Sequence, residues 1–63
     1  MPEELEHALE SRPDARALFE GMSHNHRKEY INWVREAKRP ETRSRRAAEA
    51  MDRIVASGGR SGI

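Results

Sequence analysis

Apolar positions recur along this chain at helical spacing. Leu5, Ala8 and Leu9 fall at i, i+3, i+4, and Leu18, Phe19 and Met22 make a second short edge. Tyr30, Trp33, Val34 and Ala37 fall at i, i+3, i+4, i+7. Ala47, Met51, Ile54 and Val55 form a longer stripe, flanked by Ser44 and Ala48. Spacing of this kind gathers each group on one side of an α-helix. No segment alternates with the period of a strand. The pattern predicts an all-α fold, a small compact bundle of three to four short helices.

Breakers divide the pattern where the periodicity lapses. Pro2 suits a first turn, with Glu3, Glu4 and Glu6 near the positive end of the dipole, and a helix is expected over residues 2–10. Ser11-Arg12-Pro13 stops it, because a residue before proline avoids helical geometry. Pro13 and Asp14 then open a second helix of about two turns, which Gly21 is expected to end in the left-handed region. Ser23 is an N-cap for a third helix running to about residue 38, with Met22 set to pack on the stem of Arg27. Pro40 breaks the chain and restarts it, so a last helix is expected from residue 40 or 41 to 56, closed by Ser57-Gly58-Gly59. The domain is placed at residues 1–57 and a flexible tail at 58–63.

The third helix is expected at the centre, because it carries the only Trp and the only Tyr. Ile31 falls about 100° off the Tyr30–Trp33–Val34 face, which predicts neighbours on two sides. The core is expected to join Tyr30, Trp33 and Val34 to Leu5, Leu9, Leu18, Phe19, Met51 and Ile54, with all three aromatic residues mostly buried.

Composition narrows this picture. Charged residues make up 37% of the chain against 35% hydrophobic, thin for a core, and only the periodicity argues against disorder. The 63 residues make one domain with net stability of only ~3–5 kcal/mol. With no cysteine there is no disulfide to staple it, consistent with a reducing compartment. The acidic start lacks the apolar core of a secretory signal and no long apolar run is present, so a cytoplasmic protein without membrane insertion is expected.

Charge is nearly balanced overall but unevenly placed. Residues 1–22 carry a net −4, residues 35–46 a net +4. The basic segment, Arg35, Lys38, Arg39, Arg43, Arg45 and Arg46, is the candidate interaction surface. The two ends attracting one another within a single fold is the plainer account. Arg43 lies beside the buried stripe of the last helix, so it calls for an acid or carbonyls as partners. Glu29 and Glu36 are the candidate acids, and a ligand-facing role is the alternative. Glu41–Arg45 and Glu49–Arg53 are spaced as i, i+4 ion pairs.

Catalytic chemistry finds little to stand on. His24-Asn25-His26 places two imidazoles in different directions, and with His7 they make a weak zinc set. No glycine-rich loop opens a helix to cradle phosphate. The serines lack a pattern of nucleophile, base and oxyanion hole. Neither enzyme activity nor a cofactor or metal is expected.

From Phe19 through Arg46 the chain resembles a known module. The run Ser23-His24-Asn25-His26-Arg27-Lys28-Glu29-Tyr30, then Trp33, Glu36-Ala37-Lys38 and Glu41-Thr42-Arg43-Ser44-Arg45-Arg46, is similar to the hallmark of the bacteriocin-protection, YdeI- or OmpD-associated family, the OmdA domain. Leu5, Leu9 and Pro13 fit the same pattern. Members often have Ser-Pro-Ser before the histidine, where this chain has Ser23-His24-Asn25. They commonly carry the module at the C-terminus of a longer protein. The resemblance implies association with envelope stress and peptide resistance and supplies no catalytic residue. The expected function is therefore a small, non-enzymatic binding or accessory module whose partner is another protein. The alternative is weak, sequence-tolerant nucleic-acid binding through Arg39, Arg43, Arg45 and Arg46.

Overall fold

In a computed structural model, which describes residues 1–59, four helices follow the breakers closely: α1 Glu3–Ser11, α2 Pro13–Glu20, α3 His24–Arg35 and α4 Pro40–Ser57. Most of the expected tail, residues 60–63, lies outside the described residues. Pro2 stands just before α1 as its cap, and its carbonyl accepts the N–H groups of Leu5 and Glu6 at 3.1 Å each. A single residue, Arg12, separates α1 from α2. Its guanidinium donates to Asp14 at 3.3 Å and to Asp52 at 3.2 Å, which ties this corner to α4. The hydrogen bond from Arg12 is the main reason the Asp14 carboxyl titrates below its ordinary range.

Gly21 departs from expectation. Its φ of −83° and ψ of −6° are right-handed, as any residue adopts. The chain leaves α2 by tightening, with Gly21 N–H on the Ala17 carbonyl and Met22 N–H on that of Phe19. The left-handed cap belongs to Gly58 instead, at φ 67°. There Gly58 N–H bonds the Val55 carbonyl and Gly59 N–H that of Ile54, the paired bonds of a Schellman ending.

Ser23 caps α3 as expected, its Oγ accepting the His26 N–H at 3.3 Å. The helix stops at Arg35, earlier than the apolar period suggests, although Ala37 is still buried. Pro40 holds Arg39 extended, at φ −99° and ψ 141°. The carbonyls of Ala37 and Lys38 turn to meet the Arg43 side chain.

The organising helix is α4, not α3. It packs against α1, α2 and α3 in turn, while α3 barely touches α1 or α2. Its inner face is Ala47, Ala50, Met51 and Ile54. Val55 is 38% exposed, and Ser44 and Ala48 face out. Following the larger apolar residues tilted the expected stripe toward Val55. Alanine at 50 instead places a small side chain at the contact, where a helix receives three neighbours. Leu5, Tyr30, Val34, Met51 and Ile54 are fully enclosed; Leu9, Phe19, Ala15 and Met22 complete the centre. Leu18 and Trp33, both expected inside, are only partly buried at its edge.

Candidate binding surface

The six basic residues singled out by the sequence do not form one surface. Arg43 turns inward. Its Nε donates to Glu4 Oε2 at 3.2 Å, and one terminal nitrogen donates to the carbonyls of Ala37 at 3.2 Å and Lys38 at 3.1 Å. The acid is Glu4, on α1, and not Glu29 or Glu36. The Glu4 carboxyl is held below its ordinary range first by its own backbone N–H at the start of α1; burial opposes that shift and the bond from Arg43 adds to it. Arg46 also turns inward, donating to the Trp33 carbonyl at 2.8 Å. Its guanidinium stands 5.5 Å from the Trp33 ring centre, and that of Arg53 stands 4.8 Å away. Two cations over one ring account for Trp33 lying at the boundary of the core: the indole contributes apolar area and a negative face together.

Arg35, Lys38, Arg39 and Arg45 remain exposed, with no ion pair to another described residue. Arg45 sits two residues from both Arg43 and Ala47, so it points away from the inner face of α4. Its expected pair with Glu41 is not formed, whereas Glu49–Arg53 is, at 3.5 Å. A continuous strip of phosphate contacts along α4 is therefore interrupted at Arg43 and Arg46.

A different surface appears on the far side of α3. Because α3 leans on α4 and scarcely on α1 or α2, an open groove of about 560 Å³ runs between them. Leu9, Phe19 and Ile31 form its floor. Glu6 and Glu10 stand along the α1 edge, and Arg16 and Glu20 on α2 pair with each other at 3.4 Å. His24, Arg27, Lys28 and Arg35 line the α3 edge. No ion pair crosses from the acids of α1 to the cations of α3 among the described residues. Arg27 Nε is shut off from solvent and has no hydrogen-bond acceptor among the described residues. A second, more open depression beside the groove is polar, lined by Met1, Pro2, Glu3, Glu4, Arg35 and Arg43.

Sequence reasoning placed Leu9 and Phe19 in the core and did not see the groove. Its signal was present on α3: His24, Arg27, Lys28, Ile31 and Arg35 recur at i, i+3, i+4, i+7, i+11, a second face with one apolar residue among cations. The imidazoles of His7, His24 and His26 do not converge, and no group of three or more metal-ligating side chains is gathered among the described residues.

No curated protein and no solved structure matches the chain. A family model does, over residues 1–56, which covers all four helices except the last residue of α4. The match spans the Ser23 cap, the core and the Arg43 and Arg46 contacts alike, and by it the chain belongs to the bacteriocin-protection, YdeI or OmpD-associated family, OmdA.

Proposed function

We propose that this chain is a non-catalytic binding module, working in the cytoplasm, whose partner is another protein. The observation that carries the reading is the groove beside α3. An apolar floor ringed by charges of both signs has the layout of a protein-recognition patch, a dry centre with a polar rim. The family description, which speaks of OmpD association, is consistent with a protein as the thing bound. No described helix is long and apolar enough to cross a membrane.

Nucleic-acid binding is the second reading, favoured by the exposed Arg35, Lys38, Arg39 and Arg45. It is weakened by the inward turn of Arg43 and Arg46, because only freely presented cations release counterions from phosphates. Crosslinking of the tagged chain in native cells, read by mass spectrometry, tests the first reading. The expected result is a discrete protein adduct in stoichiometric yield. Titration of the purified chain with duplex DNA at two salt concentrations tests the second. Steeply salt-dependent DNA binding, lost in Arg39→Ala/Arg45→Ala, together with no protein adduct, overturns the proposal.

A further inference from the structure

Resting on the protein-binding reading, the groove itself indicates what part of a partner enters it. We propose that the groove between the α1–α2 pair and α3 receives one amphipathic helix of about three turns. That helix lies along α3, with its acidic edge against Arg27, Lys28 and Arg35 and its basic edge against Glu6 and Glu10.

Four observations lead there. The groove is concave and runs beside α3, whose 12 residues measure about 18 Å, the length of three helical turns. Its volume, about 560 Å³, takes the side chains along one face of a helix and not a whole helix, so the occupant lies on the groove with its anchors inserted. The floor, Leu9, Phe19 and Ile31, matches a stripe of large apolar anchors at i, i+3, i+4, i+7. The two edges carry opposite charge, yet among the described residues no ion pair spans them, and a bipolar helix supplies a counter-charge to each.

A second copy of this chain fits less well. A two-fold pairing brings the same patch against itself, and two concave faces leave a void between them. A long-chain carboxylate would satisfy the floor and the cations but would leave Glu6 and Glu10 without partners, and an apolar tail beside unpaired acids gains nothing from that edge.

Three stapled 14-residue helical peptides test this, titrated into the full isotopically labelled chain and followed by amide chemical shifts. Each carries leucines at i, i+3, i+4 and i+7. The first has glutamates on one edge and lysines on the other, the second glutamates on both, the third lysines on both. The bipolar peptide is expected to shift Leu9, Phe19, Ile31 and Lys28 and to bind about tenfold tighter than either uniform peptide, the effect of two or three rim charge pairs. Lys28→Glu/Arg35→Glu, both at exposed positions, should move the preference to the peptide with lysines on both edges while amide dispersion elsewhere stays intact. Equal binding of all three, shifts confined to α4, or no binding at ~1 mM overturns the inference. So does hexadecanoate reproducing the groove shifts when no peptide does. A crosslinked partner whose capture survives Ile31→Asp overturns the groove assignment while leaving the protein-binding reading in place.

Discussion

The two sides of α3 follow different rules. Toward α4, Tyr30 and Val34 are enclosed, Trp33 lies under two guanidiniums, and Arg46 bonds a backbone carbonyl of α3. Just past the end of α3, Arg43 closes the carbonyls of Ala37 and Lys38. Toward the groove, Ile31 is partly buried, and His24, Lys28 and Arg35 stand exposed with no ion pair to another described residue. Arginine is common to both sides, and its role is set by what meets it. A guanidinium facing two carbonyls and an acid holds the fold together, while one facing open space is available to a ligand.

Removing Tyr30 should produce the largest difference between the two sides. Tyr30→Ala vacates a fully enclosed site, and truncation of a buried aromatic costs ~3–5 kcal/mol. A domain of this length has about that much stability in total, so the variant should be unfolded at room temperature by circular dichroism. Ile31→Ala removes a smaller, only partly buried side chain and should cost ~1 kcal/mol in urea denaturation. Comparable losses would mean the groove side is as tightly packed as the α4 side.

Next comes the inward arginine. Arg46→Ala removes the bond to the Trp33 carbonyl and one cation over its ring, together about 1–2 kcal/mol. Tryptophan emission should move to longer wavelength as water reaches the indole. Arg46→Lys should restore less than half of the loss, because an ammonium lacks the flat fork that both bonds and stacks. An unchanged emission maximum would remove Arg46 from the structural side of the comparison.

Glu4 sharpens the contrast through pH. Its carboxyl titrates below the ordinary 4.5 in the folded protein, so protonation favours unfolding. Its stabilising contribution is complete above 4.5 and is lost as pH falls from there through the lower folded-state value. Glu4→Gln should melt earlier than the parent at neutral pH and lose less on acidification across that window. Asp14, also lowered from its ordinary 3.8, adds a further decline below that value in both proteins. A parallel acid limb in parent and variant would show that the Arg43–Glu4 pair contributes nothing to folding.

Much of the fold was legible from order along the chain. Proline placement and the Ser23 cap marked where three of the helices start, and period 3.6 identified most of the enclosed residues. What was not legible depends on how helices dock. Glu4 lies 39 residues from Arg43, and nothing local tells Arg43 to choose it over Glu29 or Glu36. The primacy of α4 was hidden because its contact face also uses Ala50, a small residue that looks weak in a hydrophobicity pattern but lets neighbours approach. Gly21 looked like a left-handed cap by residue type alone, and the tight exit to Met22 made that geometry unnecessary. The basic segment was read correctly as uneven charge, but closeness in sequence did not become closeness in space, since neighbours on a helix diverge by 100°.

The smallest expected effect is the most decisive for function. Lys28→Ala/Arg35→Ala removes two exposed cations that make no ion pair with a described residue, and surface changes of this kind stay within about 0.5 kcal/mol. The two lie seven residues apart on α3, about 10 Å along the axis, so salt screens much of their mutual repulsion and its relief is also slight. Stability should therefore be unchanged while binding of the bipolar helix falls. A loss above ~1 kcal/mol would mean these cations already engage Glu6 and Glu10 across the groove in solution. The groove would then be a closed structural seam, both sides of α3 would obey one rule, and the surface offered to a partner would have to lie elsewhere.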